Sequence, residues 1–308
     1  GVTLDRTTGT FSGGTGAGNF AVRPALGRLS FEGLAIYDNG LVYYGDENRP
    51  GGGNPGGAYF KFVPATPYNP ASGPIADLSQ SPLSGGSVYG LRLGKRTPVD
   101  NGQGTETGLG TWLFVNDSSV TTDPDLRAAA LTLKLTGYYR PEDAEIDHGA
   151  EANGRVKWCA NNTGNEASGH TWGNTICVTD GSIADATSDP TGVTPEVQFF
   201  VIGTWDFAMM DNIAQQPVRG NWIIHEDGDV TSTHKNNDLW DCLPDGADAD
   251  SLSDGCIRIA TLNDWNSNNE GAEWTGGVWD STGTRFFVSV QHNVTGHGVV
   301  LEVTGWGF

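Results

Sequence analysis

From Leu29 onward the chain alternates short apolar runs with turn residues. The rhythm suits strands and leaves little room for helices. LSFEGLAIYDNGLVYYGDE, residues 29–47, reads as strand, Asp38-Asn39-Gly40 turn, strand, which is a hairpin with fitting turn chemistry. GGGNPGG at 51–57 reads as a loop, and AYFKFVP at 58–64 as a third strand alternating between faces. The same grammar returns in EDAEIDHGAEANGRVKWCAN at 142–161, in DNIAQQPVRGNWIIHEDGD at 211–229 and in EWTGGVWDSTGTRFFVSVQHN at 273–293. GTWLFVND, AALTLKLTGYY and the closing GVVLEVTGW add further strands. Within LRAAALTLKL at 126–135 the Leu-Thr-Leu-Lys-Leu alternation has period 2, which predicts a strand there as well. Residues 1–28 are a polar, Gly/Thr-rich arm without periodicity.

A unit that opens on an acidic or amide residue, runs strand–turn–strand and ends in an outer strand describes a propeller blade. Unit starts fall at Glu32, Glu142, Asn212 and Glu273, with a weaker one near Glu106. At ~40–50 residues per blade, 308 residues predict about six blades. The expected architecture is therefore all-β: a six-bladed β-propeller over residues 29–308, preceded by an extended N-terminal arm, 1–28. A β-sandwich accounts for the strands but not for the recurrent acidic start.

Composition supports the all-β reading. The chain has 45 Gly, 15 Pro and only 18% charged residues, so Lys/Glu-rich helix faces are scarce. The net charge of −20 argues against nucleic acid or anionic lipid as partners. It leaves two readings, a solubilising surface and a set of carboxylates that hold cations. No apolar run approaches the ~18 residues of a membrane span. The four cysteines form two local pairs, Cys159 with Cys177 and Cys242 with Cys256, and no Cys-x-x-Cys occurs. Two disulfides and an oxidising compartment follow, with the free thiols of a cytosolic protein as the alternative. The chain starts at Gly1 with no signal peptide, which reads as a processed, secreted protein, extracellular or periplasmic.

The candidate chemistry lies in the carboxylates. In a propeller the first strand of each blade lines the central channel, so Glu32, Glu142, Asn212 and Glu273 converge. Asp143 and Asp211 are adjacent to them, and Glu47, Glu226 and His292 stand at the ends of second strands near the same rim. Carboxylates crowded in a channel repel unless protonated or held by a cation, and hard oxygen ligands suit calcium. The competing reading has each carboxylate capping a turn in its own blade. A second acidic group, Asp245, Asp248, Asp250 and Asp254, lies in the loop between Cys242 and Cys256. Its spacing is not that of an EF-hand, and it stands either as a second calcium loop or as a solvated acidic loop. GxSxG, HExxH and Walker motifs are absent. His225 and His292 sit at strand ends, where a hydrogen-bonded structural role is the plainer reading.

FEGLAIYDNGLVYYGDE with GGAYFKFVP, then RPEDAEID, DNIA and EWTGGVWDSTGTRFFVSVQH, resemble in that order the PhoX-type alkaline phosphatase family, over residues 29–306. The resemblance implies a six-bladed propeller, calcium in a central site and hydrolysis of phosphate monoesters. In the family's enzymes an iron pair joins the calcium, with a Cys among its ligands. LGTWLFVND resembles the family strand that a Cys-Glu-Glu stretch follows; this chain has Phe114, Val115, Asn116 and Asp117 there. With all four cysteines paired, iron is not expected. Two functions stay open: a metal-dependent phosphoric monoester hydrolase, and a non-catalytic extracellular subunit with structural calcium. In the second, the β-branched TLDRTTGTF of the arm would dock on a neighbouring copy's edge strand; the plainer reading has the arm pair beside GVVLEVTGW and complete the last blade of its own molecule.

Overall fold

The computed structural model describes residues 2–5, 10–13, 23–75, 78–94, 107–117, 124–164, 172–228, 236–246, 248–263, 271–293 and 295–306. The weaker unit start near Glu106 and half of the arm lie outside these residues. Within the arm, strands β1 (Val2–Asp5) and β2 (Thr10–Gly13) pair with each other as an antiparallel hairpin, so TLDRTTGTF contributes to both of its strands.

The body is built from antiparallel meanders. The first comprises β3 (Leu34–Ile36), β4 (Val42–Gly45), β5 (Tyr59–Pro64) and β6 (Gly86–Leu93), followed by β7 (Gly108–Asp117). After helix α1 (Leu126–Leu133), the second runs through β8 (Pro141–Ile146), the short helix α2 (His148–Ala152), β9 (Arg155–Asn162), β10 (Asn174–Ser182), α3 (Ile183–Ser188) and β11 (Glu196–Ile202). The third has β12 (Met210–Gln215), β13 (Trp222–Glu226), β14 (Asp238–Cys242) and β15 (Cys256–Thr261). The fourth has β16 (Glu273–Trp279), β17 (Phe286–Gln291) and β18 (Val299–Val303). Strand β7 pairs with both β6 and β11 and so fuses the first two meanders into one nine-stranded sheet. Its end strands, β3 and β8, lie against each other, which nearly closes it into a barrel. Gly33 permits this approach, since a Cβ there would fall on the Asp143 carboxylate. The all-β class holds. Among the described residues the sheets are a hairpin and sheets of nine, four and three strands, and a six-bladed ring is not displayed.

AYFKFVP is a strand that alternates between faces as expected, and both faces are covered, because every residue of β5 is buried. Tyr59 and Val63 face a core shared with Trp112, Trp158 and Ile176, while Phe60 and Phe62 face Leu126, Ala130 and Leu135. The cover on that second face is α1, formed by the segment expected to be a strand. Asp125 caps the helix by accepting from Ala128 N at 3.0 Å, and the run Arg127-Ala128-Ala129-Ala130 has high helix propensity. Leu126 and Ala130, four apart, supply the buried stripe, whereas Leu131 of the alternating run is 49% exposed. Local propensity and tertiary cover outweigh the period-2 pattern. The expected turn between the strands of 142–161 likewise holds α2, capped by Asp147.

Both disulfides are formed as expected. Cys159 faces Cys177 directly across β9 and β10, and Cys242 faces Cys256 across β14 and β15. Among the described residues no helix is long and apolar enough to cross a membrane.

Candidate metal centre

The first strands of successive meanders are neighbours: β3 lies against β8, β8 against β12, and β12 against β16. Three of them carry a β-bulge, two of these at the acidic residues. The register of β8 shifts between Pro141 and Ala144, that of β12 between Met210 and Ile213, and that of β16 between Thr275 and Gly277. An extra residue in a strand re-aims its side chains and breaks the strict alternation of faces. Glu142-Asp143 and Asp211-Asn212 fall within two of these bulges.

Asp211, Asp227 and Glu273 bring one carboxylate oxygen each to within 4.8 Å of one another. Glu142, 3% exposed, lies beside them, and its Oε1 accepts from Thr163 Oγ1 at 2.8 Å. Arg140 ties the cluster to the first meander. Its Nε donates to Glu47 Oε1 at 2.8 Å, and its Nη2 lies 3.1 Å from Glu142 Oε1. Glu32 stands exposed at the rim, where it feels Glu47, Arg140 and Asp227.

Electrostatics follow from crowding acids where water is scarce. Burial pushes the Glu142 carboxyl up to about 8, with Glu47 and Glu32 adding to the shift and Arg140 and Thr163 opposing it. Burial and the adjacent Asp227 push Glu273 up to about 9. Asp211 is held well above the usual carboxylate range by burial, then by Glu142, Asp227 and Glu273. Glu32 is raised by partial burial and Glu47. Acids whose ionisation is opposed by burial and then by neighbouring like charges form a site that a cation can discharge.

Of the residues expected at the channel, Glu32, Glu47, Glu142, Asp211 and Glu273 come together. Asn212 and Glu226 do not join them. Asn212 Oδ1 accepts from Gly276 N at 2.9 Å, and its Nδ2 lies 3.5 Å from Asp143 Oδ2, so it fastens β12 to β16 and β8. Asp143 accepts in addition from Ile213 N and Ala144 N, and burial pushes it up to about 6. Glu226 is fully buried and accepts from Ala208 N, Trp240 Nε1 and Asp238 N. The residues missed by the sequence reading are Asp227 and Arg140. Asp227 follows Glu226 at the end of β13, where nothing in the pattern says which of two adjacent acids faces the cluster. Arg140 precedes Pro141-Glu142, and proximity in the chain was the available signal.

His225 is fully buried against Phe286, with no hydrogen bond to either ring nitrogen. Burial pushes its pKa down to about 3, so it is a neutral core residue and not part of the cluster. In the second acidic loop, Asp245, Asp248 and Asp250 also approach one another within 4.8 Å. There Asp248 Oδ1 accepts from Asp250 N and Asp250 Oδ1 from Leu252 N, as in self-contained turns. Asp254 lies against Gly246.

The donor set of the main cluster is oxygen only, as hard cations such as calcium require. A thiolate-bearing iron site does not fit, because all four cysteines are in disulfides. A family model described as alkaline phosphatase PhoX matches residues 20–293. No curated protein matches the chain.

Proposed function

The chain belongs to the PhoX family of alkaline phosphatases, and from that premise we propose that its carboxylate cluster binds calcium and serves the hydrolysis of a phosphate monoester. The observation that carries this reading is the trio Asp211, Asp227 and Glu273, set beside the buried Glu142. We read the meanders as propeller blades, whose first strands gather these acids near one axis. Asp211, Asp227, Glu273 and Glu142 would hold the ion, with Glu47 and Glu32 at the open rim. Bound there, calcium supplies the positive charge that receives a phosphate group and offsets charge developing on it.

The chain's own residues prepare the place. Arg140 holds Glu47 and Glu142 in fixed positions through its two contacts. Thr163 fixes the orientation of Glu142. Burial of Asp211, Glu142 and Glu273 excludes water from the inner side of the cluster, which strengthens every charge interaction within it. The cluster opens toward Glu32, the exposed member, and this is the side from which a phosphate ester would enter.

A second reading, structural calcium without turnover, is favoured by the absence of a free cysteine. Melting curves with and without chelator, combined with a phosphate monoester assay at alkaline pH in calcium and in calcium plus iron, separate the two. Turnover that is lost both on chelation and in Glu142→Gln supports the hydrolase. A calcium-dependent melting shift without turnover selects the structural reading, and no calcium shift at all sinks both.

A further inference from the structure

Lys61 of β5 and Asp180 of β10 meet inside the core between the first two meanders, and both are fully buried. Lys61 Nζ donates to Asp180 Oδ2 at 2.8 Å and to the Pro190 carbonyl at 2.9 Å. The Tyr43 hydroxyl donates to the same Oδ2 at 2.7 Å. The Trp112 ring lies 4.7 Å from Nζ. Its indole N–H faces Asp180 closely enough to favour the carboxylate, yet neither Trp112 Nε1 nor Asp180 Oδ1 completes a hydrogen bond.

An ion pair is poorly served in this place. Removing both charges from water costs several kcal/mol per ion, and the pair recovers that only when the remaining protons and lone pairs find partners. Here the third ammonium proton faces aromatic rings and Oδ1 goes unmet. Burial pushes the lysine down and the aspartate up, each against the pull of its partner. The two groups thus lean toward amine and carboxylic acid, the reactants of an amide condensation. Burial, with Asp180 alongside, also holds the Tyr43 hydroxyl protonated.

We propose that Lys61 and Asp180 are joined by an isopeptide bond, a covalent cross-link between β5 and β10. The Nζ lone pair attacks Asp180 Cγ, the carbon that bears the oxygen Nζ contacts at 2.8 Å. The Nζ–Cγ bond forms and the Cγ–Oδ2 bond breaks. Oδ2 leaves as water, carrying the carboxyl proton and one proton from Nζ. Tyr43 relays the latter, because its hydroxyl donates to the departing oxygen and is then restored by the amine proton. No electrons are exchanged and one water is lost. The amide that results has one N–H and one carbonyl. The Pro190 carbonyl is already placed for the first, and the unpartnered Trp112 indole faces the second. The surroundings therefore match the product better than they match the ion pair.

The test is the intact mass of the full chain after reduction and denaturation, with tandem mass spectrometry of its proteolytic peptides. The expected result is a chain one water lighter than its sequence mass and a branched peptide joining the Lys61 segment to the Asp180 segment. Asp180 precedes Gly181, and an Asp-Gly step can also lose one water by cyclising on itself, so Lys61→Met is the control. That variant should recover the full mass. Tyr43→Phe should form the link more slowly when refolding is followed by mass. A wild-type chain of full mass with linear peptides overturns the proposal, and so does a Lys61→Met chain that is still one water light. If Lys61→Met does not fold, the wild-type peptide map decides alone.

Discussion

Glu226 accepts three hydrogen bonds in the interior, while Asp227, its neighbour in the chain, points its carboxylate at Glu273 and Asp211. Substitution separates the two roles. Glu226→Gln replaces an acceptor facing a backbone or indole N–H with an amide donor, which costs ~1–3 kcal/mol of stability with or without calcium. Asp227→Asn relieves like-charge repulsion, so the chelated protein should melt no lower than wild type, while calcium no longer raises its melting temperature. Paired thermal scans of both variants check this, and equal calcium responses in the two would contradict the assignment. The protonation of the cluster also sets a pH dependence. The folded-state values of Glu142, about 8, and Glu273, about 9, lie above the ordinary carboxylate value. Their contribution to stability is therefore complete below the unfolded value and is lost as pH rises through those folded values. Calcium must displace the same protons, so its affinity should rise between pH 6 and pH 9, roughly as these groups ionise. Calorimetric titration across that range should show tightening with proton release. Affinity that is flat with pH would mean that calcium binds elsewhere.

At the level of elements, the bulges in β8 and β12 re-aim Glu142 and Asp211 toward Glu273 at the start of β16, so that ordinary strand starts become a converging set of acids. Helix α1 supports the set from outside. It closes the outer face of β5, and its Arg127 grips the buried Asp46 with Nε at 2.8 Å and Nη2 at 2.6 Å, next to Glu47. Asp125→Ala removes the helix cap and should cost ~1 kcal/mol. Hydrogen exchange in Leu126–Leu133 should accelerate accordingly, and unchanged protection there would show that packing alone holds the helix. The strands and hairpins were legible because apolar alternation and Gly- or Asn-bearing turns are local signals. The acidic strand starts were legible because they recur. The helix was misread because its short apolar stripe, Leu126 and Ala130, is adjacent to a more conspicuous Leu-Thr-Leu-Lys-Leu run, and only the uncovered face of β5 decides between the two. Asp227 and the fusion of two meanders by β7 were not legible. The first depends on side-chain parity at a strand end, and the second on a pairing between β7 and β11 that is remote in the chain.

The whole molecule carries a net charge of −20 and concentrates several of its acids at one place between the meanders. Two kinds of calcium effect can therefore arise. Calcium can lessen the mutual repulsion of the surface carboxylates, or it can fill the buried cluster. Monovalent salt distinguishes them, because the Debye length falls from ~10 Å at 0.1 M to ~3 Å at 1 M while buried pairs are screened much less. The chelated protein should melt higher in 1 M sodium chloride than at low salt, as surface self-repulsion is relieved. A calcium increment due to the cluster should persist at high salt. At a hundredfold excess over the dissociation constant it amounts to ~2.7 kcal/mol, or ~5 °C for a chain of this size. Glu142→Gln should diminish this salt-resistant increment while leaving the response to sodium chloride as in wild type. The measurement is a set of melting curves with chelator or calcium, at low and high salt, for both proteins. A calcium increment that disappears at 1 M salt would place the ion on the surface and remove the basis for a buried centre.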